Sequence, residues 1–185
     1  MKSKFDNIQK LVFFIICFGI LCRLLPLPHN FQPVIALTVF GGIYIKNTNI
    51  AFILPISIIL ISDIILGYIP SIGGTYIPLI IVYIFTLMIN ELNFYKKLSH
   101  LFILPHLFIS ALIFYLTSNF DVWLFSNPAK TPPFGYPKSL DGLISCYYWG
   151  LPFLKNTILG TLFFGLLFKL SFEGVSNLIL SKTNN

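Results

Sequence analysis

Charge is what this chain has least of. Asp, Glu, Lys and Arg make up 10% of its 185 residues, against 56% hydrophobic. A soluble domain carries roughly a quarter of its residues as charges, so a wet surface all round is excluded, and a mean hydropathy of +0.86 calls for a bilayer as solvent. Cysteine is scarce too: Cys17, Cys22 and Cys146 form no CxxC or zinc spacing, and the first two point different ways on one helix. No HExxH, no GxSxG, no phosphate-cradling GxxxxGK[ST] and no carboxylate pair at acid/base spacing is present, so the expectation is a protein that is not an enzyme and holds neither cofactor nor metal. There is no internal repeat, no low-complexity tract and no GxxxG. The apolar run behind Lys2, Lys4 and Lys10 lacks an Ala-x-Ala site and ends in Arg23-Leu24-Leu25-Pro26, which reads as a retained first span rather than a cleaved signal. The net charge of +6 is scattered apart from Lys96-Lys97, a pattern of membrane topology and not of nucleic-acid binding.

What remains is a succession of apolar stretches, punctuated by Pro, Gly, Asn and Lys. They predict an all-α integral membrane protein, one domain over 1–185, with six transmembrane helices at about 11–25, 34–45, 50–69, 76–92, 101–124 and 157–180. The second is shorter than the roughly 20 residues of an upright span, so it tilts, borrows from Asn30 to Pro33, or re-enters. Loops then alternate between two sides. Lys2, Lys4, Lys10, Lys46, Lys96, Lys97 and Lys182 fall on one, Arg23, Lys130, Lys138 and Lys155 on the other, and the excess places both termini in the cytoplasm. Lys169 and Glu173, four apart, are expected to pair near the inner interface. The external loop 125–156 opens with prolines and continues from Leu140 to Phe153 as an interfacial helix or lid carrying Tyr147, Tyr148 and Trp149. That loop is expected to close over a ligand.

Polar groups inside spans are costly in lipid, so each is a functional candidate. Arg23, His29, Asn30, Asp63, Asn119 and Asp121 all fall towards the external side, with Asp63 and Asn119 expected to share one cavity. The competing structural explanation is an Arg23 pair with Asp63 or Asp121 that holds helices together. His106, one residue after Pro105, is expected to fill the hydrogen-bond gap at a proline kink.

Three groups of residues carry a resemblance. They are Arg23-Leu24-Leu25-Pro26 through Pro28-His29-Asn30-Phe31-Gln32-Pro33 and Phe40-Gly41-Gly42; Pro55, Ser62-Asp63 and Leu66-Gly67; and Ser118-Asn119-Phe120, Trp123, Tyr136-Pro137, Leu140, Gly142-Leu143, Cys146-Tyr147, Leu151-Pro152-Phe153, Asn156-Thr157 and Gly160. Together they resemble a bacterial family of putative transport proteins of unassigned function, similar to the substrate-binding S components of energy-coupling factor vitamin transporters. The resemblance implies an S-component-like bundle of six helices in the bacterial cytoplasmic (inner) membrane, and a vitamin-like ligand near the outer face, with a corrinoid such as cobalamin the leading guess. It also implies a partner coupling membrane subunit with ATPases. Phe31, Trp123, Tyr136, Tyr147 and Asn156 thereby join Arg23, His29, Asn30, Asp63 and Asn119 as expected ligand contacts. Two positions depart from the pattern: Thr161 stands where an acidic residue is expected, and the first helix offers only Cys17 and Gly19 in place of a small-alanine docking stripe.

The leading expectation is therefore a substrate-binding membrane subunit of a small-molecule uptake system. The alternatives are a structural or assembly membrane protein without a small ligand, and a membrane-interface enzyme using Asp63, Asp121 and His29. A pocket between the first, third and fifth spans would favour the first over the second.

Overall fold

A computed structural model of the chain describes residues 14–45, 47–67, 72–91 and 103–183, the side chains of 72–73 and 173–183 excepted. Six helices and no strand occur among them: α1 (Phe14–Leu24), α2 (Val34–Tyr44), α3 (Thr48–Leu66), α4 (Ile77–Glu91), entered through a π-helical turn at Ile72–Tyr76, α5 (Ile103–Phe125) and α6 (Leu140–Thr183). The stretch α3, the segment Gly74–Glu91, α5 and α6 are each long and apolar enough to cross a membrane. Their outward faces are oily: on α4, Ile77, Ile81, Ile84 and Met88 form one exposed stripe, while Leu79, Val82 and Thr86 of the opposite face are buried. A helix apolar on both faces suits lipid on one and protein on the other. Lys2, Lys4, Lys10, Lys46, Lys96, Lys97 and the side chains of Lys182 and Glu173 lie outside the described residues, and with them the inner side of the charge count and the Lys169–Glu173 pair.

The short second helix is the centre of the bundle. It packs on α3, α4, α5 and α6, and every residue from Val34 to Val39 is buried. Its 11 residues rise only about 16 Å, too little for a hydrocarbon layer of ~30 Å. Enclosure removes the need to match lipid thickness. Small residues allow the close approach: a Cβ on Gly41 would sit 3.2 Å from Ala51 O, and one on Gly42 would sit 2.7 Å from Thr86 Cγ2. Asn47 caps α3, its Oδ1 accepting from the backbone N–H groups of Asn49 and Ile50, and Gly67 ends that helix in the left-handed region at φ 70°.

Helix α6 differs from expectation at its start. It runs 44 residues, about 66 Å, without a break at 156–157, so it is longer than a hydrocarbon layer of ~30 Å is thick and Leu140 to Asn156 are the helical continuation of the last span. The irregular part of the loop reduces to 126–139. That part is fastened to the α5–α6 pair: Trp123 Nε1 donates to Pro137 O at 2.9 Å, Lys138 Nζ donates to Ser126 O at 2.8 Å and lies 5.6 Å over the Trp123 ring, and Tyr136 is buried.

The connection between α1 and α2 lies on α6. A Cβ on Gly160 would stand 2.9 Å from Gln32 N and 3.0 Å from Phe31 Cα, both close to backbone that no rotamer change can move away. Gly160→Ala should therefore cost about 1–3 kcal/mol of stability, the scale of overpacking. A melting temperature equal to that of the parent protein in the same detergent would show that the 25–33 connection does not rest on α6.

Candidate functional site

The polar groups singled out in the sequence gather mostly at the end of the bundle where α1, α3 and α5 finish. Arg23, in the last turn of α1, sends its guanidinium between helices, and three of its five N–H groups are taken: Nε donates to Ser62 Oγ, one terminal nitrogen to Asp63 Oδ1, the other to Gln32 Oε1 at 2.7 Å. Asp63 and Ser62 come from the last turn but one of α3, and Gln32 from the connection to α2. Ser62 also donates to Ile59 O at 2.9 Å. The side chains of Arg23 and Asp63 are 11% and 9% exposed, so the charges are largely desolvated and must satisfy each other.

A cavity lies beside this hub. Arg23, Asn30, Gln32, Thr75 and Thr157 give it a polar lining; Val34, Ile35, Ile59, Leu79 and Phe114 give it apolar walls. Residues of all six helices or their junctions converge on it. Its volume of about 40 Å³ accepts about three or four waters at ~10–15 Å³ each. Asn30 reaches it from a left-handed backbone at φ 66°, a conformation Asn tolerates better than most residues. Thr75 reaches it from the π-helical turn, an irregularity that often accompanies functional sites.

The expected contacts separate into three places. Arg23 and Asn30 line the cavity; Asp63 is bonded to Arg23 without lining it. His29, Phe31 and Asn156 fasten the α1–α2 connection to α6: Asn156 Nδ2 donates to His29 O at 3.0 Å, the His29 ring meets Phe153 at 6.3 Å, and Phe31 packs between Phe163 and Phe164. Asn119, Trp123, Tyr136 and Tyr147 form a separate group at the α5–α6 junction. There Asn119 Nδ2 donates to Tyr115 O at 2.9 Å and its carbonyl end lies over Gly150, while Tyr147 Oη donates to Leu116 O at 2.9 Å. The expected common cavity of Asp63 and Asn119 does not form, because Asp63 turns to Arg23 and Asn119 to its own helix and α6. Nor does any residue of 125–156 line the cavity; the loop that borders it is the one carrying Asn30 and Gln32.

His106, one residue after Pro105 on α5, faces α4. Its Nε2 is 3.0 Å from Thr86 Oγ1 of α4, and its ring stacks on Phe85 at 5.1 Å, so it ties α5 to α4 in the buried middle of the bundle. Gln32, Ser62, Thr75 and Thr157 are site residues that charge reasoning passed over. Ser62 and Gln32 stand next to residues it did single out, but nothing in a one-dimensional pattern shows which of two neighbours faces an arginine. Among the described residues no three His, Cys, Asp or Glu side chains come together in a way that could hold a metal.

A helical bundle of membrane dimensions with one desolvated arginine hub and a cavity at one end is the class these features define. The chain belongs to DUF6580, a family of unknown function, whose model matches residues 3–181. No curated protein and no solved structure matches it.

The hub sets a stability test. Asp63→Leu leaves the guanidinium buried without its counter-charge and should lose about 3–5 kcal/mol, whereas Arg23→Met with Asp63→Leu should recover most of that loss. Unfolding of the parent protein and the two variants in one detergent measures both numbers; equal losses for the single and double variants would mean that the pair does not organise this end.

Proposed function

We propose that this protein is a non-enzymatic, membrane-embedded subunit that captures a small molecule for uptake. In this reading the Arg23 end of the bundle faces outward across a bacterial inner membrane, and both termini are cytoplasmic. The observation that carries it is the cavity itself, where all six elements converge and hydrogen-bond donors stand against apolar walls, the make-up of a small-molecule site. The separate expectation of a pocket between the first, third and fifth spans points the same way, since Arg23, Ile59 and Phe114 all line it.

Size constrains the ligand. A vitamin-sized or corrinoid body does not enter about 40 Å³ unless the exposed connection from Leu25 to Asn30 lifts, and what holds that connection is the Asn156–His29 hydrogen bond and the Arg23–Gln32 hydrogen bond. A compact ligand needs less of that movement. The chain has no phosphate-binding loop of its own, so uptake driven by ATP would require a coupling membrane subunit with ATPases as partner.

Two measurements test the reading. Native mass spectrometry of the purified protein should find a bound small molecule, and Ile35→Phe, which fills the cavity from α2, should reduce its occupancy by about tenfold, equivalent to ~1.4 kcal/mol. A protein that carries nothing and gains no thermal stability from a cytosol-free metabolite extract would end the proposal. For orientation, a reporter that fluoresces only in the cytoplasm, fused after Asn185, should light up; a dark, well-expressed fusion would reverse the bundle.

A further inference from the structure

We infer that the molecule taken by the cavity is uncharged and compact, with hydrogen-bond acceptors along one edge and an apolar face behind them: a lactam, a cyclic urea or a ring carbonyl on a nitrogen heterocycle. This rests on the small-molecule reading above and names the chemistry of its ligand. Charge balance comes first. Arg23 is already neutralised by Asp63, with both side chains about nine-tenths buried, and among the described residues no other ionisable side chain lines the cavity. A carboxylate or an ammonium group entering there would bring a third charge with no counter-ion, in a space walled by Val34, Ile35, Ile59, Leu79 and Phe114.

The polar lining then sets which hydrogen bonds are on offer. Two of the five Arg23 N–H groups remain after Ser62, Asp63 and Gln32 are served, and Gln32, whose Oε1 accepts from Arg23, keeps its amide N–H₂ as a donor. Asn30 and Thr75 can each donate as well, while the hydroxyl hydrogen of Thr157 is held by Phe153 O at 2.8 Å. Donors predominate, so the matching ligand edge is one of acceptors. Phe114 and the aliphatic walls face the rest of the molecule and suit a flat apolar ring.

The experiment uses the full-length protein in lipid nanodiscs and four probes of similar size: 2-pyridone (uncharged, acceptor-bearing), benzoate, benzylamine and toluene. Calorimetric titration should show 2-pyridone binding at least tenfold tighter than each of the other three. Equal or tighter binding of benzoate, benzylamine or toluene overturns the inference, as does no binding of 2-pyridone. Gln32→Glu adds a second carboxylate beside Arg23 and should move the preference towards benzylamine by tenfold or more; a folded variant with unchanged preference also overturns it. Thr75→Val, which removes one donor and no charge, should weaken 2-pyridone several-fold without altering the order of the probes; a reversal of that order overturns it. Native mass spectrometry separates the two levels: a charged molecule found in the purified protein defeats this inference and leaves capture standing, whereas no molecule of any class defeats both.

Discussion

A guanidinium placed in an apolar bundle must be answered on every side, and the end of this protein that holds the cavity is arranged around that requirement. An arginine in a span costs roughly 2.5–3.5 kcal/mol on insertion scales unless protein groups replace water. Asp63 replaces the counter-ion, Ser62 and Gln32 replace hydrogen-bond acceptors, and each partner fixes a different piece of chain. Two come from α3, which sets the register of α1 against α3. The third comes from the α1–α2 connection, which must turn back towards its own origin. Asn30 in the left-handed region makes that reversal, and Gly160 leaves room for the returning backbone on α6.

Away from the hub, the helices associate as membrane helices do, by close approach and local hydrogen bonding. Gly41 on Ala51, Gly42 on Thr86 and Gly165 on Leu107 bring backbones together. Thr38 and Thr157 return their hydroxyl hydrogen to the carbonyl four residues earlier and so satisfy themselves without a partner helix, while Thr86 does the same towards Val82 O and also meets His106 Nε2 of α5. Ser110 and Thr161 are exceptions, fully buried with no hydrogen-bond partner for their hydroxyls among the described residues. They lie one turn from Phe114 and Thr157, two residues that line the cavity, so unsatisfied polarity continues from it into the α5–α6 seam.

Much of the bundle was legible because its signals are periodic or compositional. Apolar runs located the first five helices to within a few residues, and Arg23 and Asp63 stood out because charge is rare in such surroundings. Three things were not legible. The length of α6 depends on Pro152 being carried inside a helix, which packing decides and local preference opposes. The place of α2 depends on its being enclosed, which a twelve-residue apolar run cannot distinguish from a tilted span. The grouping of the site depends on side-chain direction: Asp63 and Asn119 lie towards the same end, yet one faces α1 and the other α6. Likewise the loop 125–156 read as one that closes over a ligand because of its proline-rich opening and aromatic second half, whereas Trp123, Ser126 and Lys138 tie its first part down at the α5–α6 end and its second part belongs to α6.

The cavity lies where helical order is interrupted. Inside regular helices every N–H and C=O has an intrahelical partner, and in lipid no irregular backbone survives unless protein or a water-filled space receives it. The described residues contain two such interruptions facing the same space, the connection carrying Asn30 and Gln32 and the π-helical turn carrying Thr75. Arg23 lies between them and is held from α3, the one neighbour that is regular at this level. A bundle built this way has its polar capacity concentrated at one end, with apolar walls immediately behind. The break in helical order that allows the chain to reverse thus also supplies the donors that the proposed ligand would meet.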